Sequence, residues 1–119
     1  VRLIGYSGGG VIALLVASRL PTVTSVVTVA SNLDTDAWTR ARGFLPLHLS
    51  LNPADSDPLP PSVVHVQLAG ALDDVVPLSV TESFRCSGHQ SELWTYSDFD
   101  HRCCWVDAWP AILGTIPDT

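Results

Sequence analysis

Methionine is absent from the 119 residues. A chain that opens at Val1 inside an apolar run, with no initiator, reads as an internal piece of a longer protein. Cysteine is sparse. Cys86, Cys103 and Cys104 are too few for a disulfide scaffold, and two adjacent thiols do not easily both reach one tetrahedral zinc. They read as idle or buried thiols, or as one disulfide from Cys86 to Cys103 or Cys104, which would point to an exported protein. Charge is scarce as well, at 15% of residues, and lopsided: 6 Lys and Arg against 12 Asp and Glu give a formal net charge of −6. Nucleic acid and anionic membranes favour clustered Lys and Arg, so both are poor fits as partners. No apolar run approaches the ~18 residues needed to span a bilayer; the longest, Val11–Ala17, has seven. What the chain does have is apolar side chains, 46% of its residues, enough to bury a core and too many for a disordered tail. Its length suits a single domain.

Short apolar strands alternate with helical stretches. Val1–Tyr6 reads as a buried strand, interrupted by Gly8–Gly10 and followed by an apolar helix over Val11–Leu20 that Pro21 ends. Val23–Ala30 is rich in β-branched residues and predicts a second strand. Residues 32–61 show no clean period apart from a short helix near Asp36–Arg42, and they close in a run of prolines. Loops longer than ~12–15 residues are usually functional, so this stretch is expected to form a lid or excursion. Val63–Ala69 predicts a third strand, Leu78–Arg85 a helix, Glu92–Tyr96 a fourth strand and Arg102–Ile116 a last helix. The order predicts an α/β fold with a parallel sheet of about four strands and flanking helices. In such sheets chemistry gathers beyond the carboxyl ends of the strands.

After the first strand stands Gly5-Tyr6-Ser7-Gly8-Gly9, a G-x-S-x-G match between a strand and a helix. That context lets a strained turn lift the Ser7 hydroxyl out of the sheet, with glycines allowing neighbouring backbone to pass. The helix starting near Gly8 would aim free N–H groups and a positive dipole end at the same place. The same stretch, Gly8-Gly9-Gly10-Val11-Ile12-Ala13 with Asp34 further on, also satisfies the glycine pattern of a dinucleotide site. The remaining strand ends divide the two readings. Gly70-Ala71-Leu72-Asp73-Asp74-Val75-Val76-Pro77 follows the third strand, and Ser97-Asp98-Phe99-Asp100-His101 follows the fourth. A nucleophile, an acid and a base thus stand at three separate strand ends in the chain order Ser, Asp, His, which favours a serine hydrolase. A dinucleotide site needs neither acid nor histidine there.

With those residues in view, the chain resembles the C-terminal half of an α/β-hydrolase, from the nucleophile elbow to the last helix. GYSGG is similar to the elbow, GALDDVVP to the family's acid loop and DHRCCW to its histidine loop. The resemblance covers essentially residues 1–119, as the C-terminal part of one domain with the excursion at 32–61 inside it. VASNLDTDAWT, SLNPAD and HRCCWVDAWP further resemble a bacterial group often exported or lipid-anchored, which with the cysteines leans towards the periplasm or cell envelope. The resemblance implies a partial fold, without the family's N-terminal strands and without the loop that normally supplies a second oxyanion donor. It implies no cofactor and no metal.

The roles expected are Ser7 as nucleophile, His101 as general base and acid, Asp73 as the acid that orients it, and the Gly8 N–H as oxyanion donor. Asp74 and Asp34 remain alternatives for the acid. Tyr6, Asn32, Leu33 and Trp38 are candidates to line a pocket for a small acyl substrate. His48, His65 and His89 stand near no carboxylate in sequence, and Trp105 is placed to brace the histidine loop. The exposed edge of the first strand is expected to promote self-association. Weak activity is expected of these residues alone, and a hydrolase-like binding domain or an acyltransferase with the same triad remain alternatives.

Overall fold

The computed structural model describes residues 1–47 and 50–117; His48 lies outside the described residues. The elements are β1 (Arg2–Tyr6), α1 (Gly8–Ala17), β2 (Ser25–Val29), α2 (Thr35–Arg42), β3 (Val64–Gly70), α3 (Leu78–Cys86), β4 (Glu92–Tyr96) and α4 (Trp105–Thr115), with a 3₁₀ turn at Pro53–Asp55. All strands are parallel in the order β1-β2-β3-β4. This is the predicted class, a parallel α/β sheet flanked by helices. Each crossover carries a helix because parallel neighbours cannot be joined by a tight turn.

Register fixes the site's location. Tyr6 stands opposite Val29, Val29 opposite Leu68, and Gly70 opposite Tyr96, so the four strands finish nearly level. The loops that follow them must therefore meet. β2 lies inside the sheet with every residue buried, whereas β4, at one edge, is only partly covered. At the other edge β1 leaves Ile4 and Tyr6 exposed.

The pleat sorts side chains between two cores. Val27, Val29, Val66 and Leu68 face α4, where Trp105 and Ile112 cover them. On the other face Val26 packs with Leu14 and Ala17 of α1, Leu33, Ala54 of the 3₁₀ turn and Phe84 of α3. Each such aliphatic side chain contributes about 1.5–3 kcal/mol when fully buried. Leu33 has no exposed surface, which takes it out of the expected pocket lining. It is a core residue beneath the excursion. α1 begins at Gly8, directly after Ser7, whereas α4 begins at Trp105 and not at the expected Arg102, because residues 98–104 are occupied by the loop that carries His101.

Polar residues inside the sheet find partners. The Thr28 hydroxyl and His65 Nε2 lie 3.0 Å apart, and Gln67 Nε2 donates to Ser91 Oγ at 2.6 Å. His65 is 4% exposed, with the Phe84 ring edge-on at 5.8 Å and His89 stacked on that ring at 4.5 Å. Burial, helped by the charge His89 would carry, lowers the His65 pKa from 6.5 to about 4. The folded protein thus resists a proton that the unfolded chain accepts. Stability is complete above pH 6.5 and declines as pH falls towards about 4, where the loss levels off. Across that window the expected loss is on the order of 3 kcal/mol. Urea unfolding of wild type and His65→Gln between pH 7 and pH 4 checks this. The variant is expected to lose distinctly less stability over that interval than wild type does.

Candidate active site

The turn after β1 is strained, as is Ala30 after β2 with φ 51°. Ser7 has φ 53° and ψ −124°, a region that non-glycine residues occupy only when the surroundings force it. Two contacts supply the force. Ser7 N donates to Val29 O at 2.7 Å, tying the turn to β2, and a Cβ on Gly5 would collide with the Gly9 carbonyl. The second glycine of the sequence match is not the crowded one: a Cβ at Gly9 meets nothing among the described residues, whereas one at Gly10 would strike the Ser31 side chain. At the start of α1 Gly10 N donates back to Ser7 O at 3.0 Å, and the N–H of Gly8, the first of the helix, directly follows Ser7.

The other two loops are sewn to each other. Ala71 N donates to Tyr96 O and Leu72 N to Phe99 O, both at 2.9 Å. Gly70 makes this approach feasible, because a Cβ there would lie 2.8 Å from the carbonyl carbon of Phe99. The loop carrying His101 is wound around Asp100. Its N–H donates to Cys103 O at 2.7 Å, and its Oδ1 accepts from Arg102 N at 2.8 Å and Cys103 N at 2.6 Å. Those backbone donors hold the Asp100 carboxyl below its ordinary pKa. Trp105 Nε1 donates to Asp100 O at 3.2 Å, so its indole does support this loop.

These constraints bring the three expected side chains together. Ser7 Oγ lies 3.1 Å from His101 Nε2, and His101 Nδ1 lies 2.9 Å from Asp73 Oδ2. The Asp73 side chain is 1% exposed and that of His101 13%. Asp73 Oδ1 accepts from Val75 N at 2.9 Å and Val76 N at 2.8 Å. An ionised carboxylate can only accept, so His101 Nδ1 carries the hydrogen and Nε2 offers its lone pair to the Ser7 hydroxyl.

The alternative acids sit elsewhere. Asp74 is exposed. Asp34 is buried at the start of α2, where it accepts from Ala37 N, Asn52 Nδ2 and Ser83 Oγ. Burial alone would raise its pKa, but those hydrogen bonds outweigh it and the carboxyl is lowered. With its oxygens so engaged, Asp34 serves neither His101 nor a ribose.

Of the expected pocket residues, Tyr6 is exposed and its hydroxyl donates to the His101 carbonyl oxygen. Burial, with a further contribution from the Asp73 charge, raises the Tyr6 pKa and keeps the hydroxyl protonated for that bond. Asn32 is half-buried beside Ser31. Trp38 is half-buried with Nε1 donating to Val75 O at 2.8 Å, a contact with the acid loop that the sequence does not announce.

Of the two readings left open for the cysteines, a disulfide from Cys86 is not formed. The disulfide joins Cys103 to Cys104, and Cys86 is free and exposed. α3 runs back along the sheet, so Cys86 at its C-terminal end shares a shallow hollow with Val64 and Glu92, the first residues of β3 and β4. The histidine loop is at the opposite end. Among the described residues no three His, Cys, Asp or Glu side chains converge as metal ligands, and no helix is long and apolar enough to cross a membrane.

Gly70→Ala is expected to cost about 1–3 kcal/mol by forcing the acid and histidine loops apart. Gly114→Ala in α4, where a Cβ meets nothing within 4 Å, should instead add about 0.5–1 kcal/mol from helix propensity. Denaturant unfolding of the two variants reads both signs.

Compared with known proteins, the chain matches no family model and no curated sequence. Solved structures do match. A Klebsiella pneumoniae protein described as a dienelactone hydrolase superposes with a TM-score of 0.68 at 22% identity, over 95% of this chain and 50% of its own. An α/β hydrolase from a lagoon-sediment metagenome gives 0.68 at 25% identity, over 96% of this chain and 59% of its own. A Pyrococcus furiosus esterase gives 0.65 at 18% identity, over 95% and 51%. This chain spans 50–59% of the length of those neighbours. Sheet order and crossovers are accordingly those of a partial α/β-hydrolase fold.

Proposed function

We propose that this chain carries the catalytic residues of a serine hydrolase that cleaves an ester or related acyl bond. The observation supporting it is the unbroken line from Ser7 Oγ through the His101 ring to the buried Asp73 carboxylate. Several structural neighbours are esterases by name and one a dienelactone hydrolase, which favours an acyl carbon as the centre attacked.

In this mechanism Ser7 Oγ attacks the acyl carbon while His101 Nε2 takes its proton. The carbonyl π pair moves onto oxygen, and the Gly8 N–H at the start of α1 donates to the oxyanion. Collapse of the tetrahedral species expels the alkoxide, which collects the proton from Nε2 and leaves an acyl-Ser7 ester. Water repeats the cycle: His101 removes its proton, hydroxide oxygen adds to the acyl carbon, and Ser7 departs with the proton returned. Asp73 keeps its negative charge throughout. It fixes the tautomer and stabilises the imidazolium that forms twice per turnover.

A fluorophosphonate probe and p-nitrophenyl acetate test this on the native protein. One phosphonyl adduct on Ser7 is expected, abolished in Ser7→Ala, and Asp73→Asn should lower kcat by about 10⁴ through the wrong tautomer. No adduct on Ser7 would leave a hydrolase-like binding domain. Transfer of the acetyl group to an added alcohol in preference to water would make the protein an acyltransferase.

A further inference from the structure

We infer that Trp38 and Arg42 position the Asp73 carboxylate from a distance, each acting through one peptide group of the acid loop. This rests on the reading of Asp73 as the triad acid. The two donors on Asp73 Oδ1 are the N–H groups of Val75 and Val76, at 2.9 and 2.8 Å. The Val76 N–H shares its peptide group with the Val75 carbonyl, and that carbonyl accepts from Trp38 Nε1 at 2.8 Å. The Val75 N–H shares its peptide group with the Asp74 carbonyl, and that one accepts from Arg42 Nη1 at 2.7 Å. Both peptide groups therefore accept at one end and donate to the same carboxylate oxygen at the other.

A carbonyl that accepts a hydrogen bond polarises its own amide, so the N–H beyond it becomes a better donor. With Asp73 1% exposed, no water competes for Oδ1. Both chains end on Oδ1, which leaves Oδ2 to His101 Nδ1 and fixes the rotation of the carboxylate plane. Trp38 and Arg42 lie four residues apart on one face of α2, one turn of helix for two adjacent carbonyls.

The helix itself is held. Asp34 caps its N-terminus and is bonded to Asn52 and Ser83, while Phe44 packs edge-on against Trp38 at 5.5 Å and under the Arg42 guanidinium at 5.6 Å. The α2 part of the 32–61 excursion is thus a brace on the acid loop. The Trp38 N–H is spent on Val75 and is not offered to a substrate.

A double-mutant cycle on the native protein tests the relay with p-nitrophenyl acetate. Trp38→Phe removes the N–H and keeps an aromatic ring. It is expected to lower kcat about three- to tenfold, the worth of one hydrogen bond, with KM changed by less than about twofold. Arg42→Met should act in the same direction and Arg42→Lys should restore most of the loss, a comparison on an exposed side chain that does not put folding at risk. In the Asp73→Asn background Trp38→Phe should cost nothing further, because its path runs through Asp73. A kcat unchanged in both Trp38→Phe and Arg42→Met, or the same factor lost with Asp73→Asn as without it, overturns the relay and leaves the triad reading standing. If Asp73→Asn itself leaves kcat intact, the triad reading fails and takes the relay with it.

Discussion

A carboxylate with 1% of its side chain exposed is the constraint from which the rest of this site follows. Burying an ion without partners costs several kcal/mol. Asp73 avoids this because three hydrogens converge on it: two from its own loop and one from His101. Each requires a piece of backbone in the right place. The tight turn of residues 73–76 supplies two, and the third requires β3 and β4 to end level and Gly70 to admit the Phe99 carbonyl. Ser7 then meets the other face of the same ring because its turn is tied to β2 by the Val29 carbonyl.

Much of this was legible in the chain. Strand runs at 1–6, 23–30, 63–69 and 92–96 each fall within two residues of an observed strand at both ends, because each is a short apolar run closed by glycine or turn residues, and the inner pair β2 and β3 are buried and rich in Val. Ser7, Asp73 and His101 were nameable because each follows such a block, and a parallel sheet sends every block's carboxyl end to the same edge. The excursion's short helix was legible, expected near Asp36–Arg42 and found at Thr35–Arg42, but its contacts were not. Its hydrogen bonds join an indole or a guanidinium to main-chain carbonyls more than thirty residues away, and a carbonyl has no letter in the sequence. Leu33 fails for a related reason: placed after β2 it reads as rim, but the chain dips and buries it against α1 and α3 before rising into α2. The cysteine pairing turned on the direction of α3, which sends Cys86 away from the histidine loop; composition carries no such direction.

Solvent exposure is graded across the site. Gly8, Gly9 and Tyr6 are exposed, the His101 side chain is 13% exposed and that of Asp73 only 1%. The proposed chemistry needs that gradient. Deacylation requires a water molecule within reach of His101 Nε2, whereas water beside Asp73 would raise the local dielectric and weaken its hold on the imidazolium.

The choice of donors for Asp73 follows from the same electrostatics. A lysine or arginine placed directly on the carboxylate would satisfy it, but it would also cancel the field that Asp73 exerts on His101. Neutral peptide N–H groups satisfy the oxygen and leave the charge whole. Arg42 sits one peptide group further out, where it strengthens a donor without pairing with the acid. A neutral indole does the same for the second donor. Basic residues are few in this chain, 6 in all, and Arg42, which reaches the acid loop, touches a carbonyl and not the carboxylate. That arrangement orders Asp73 through its surroundings while its full negative charge stays directed at the histidine.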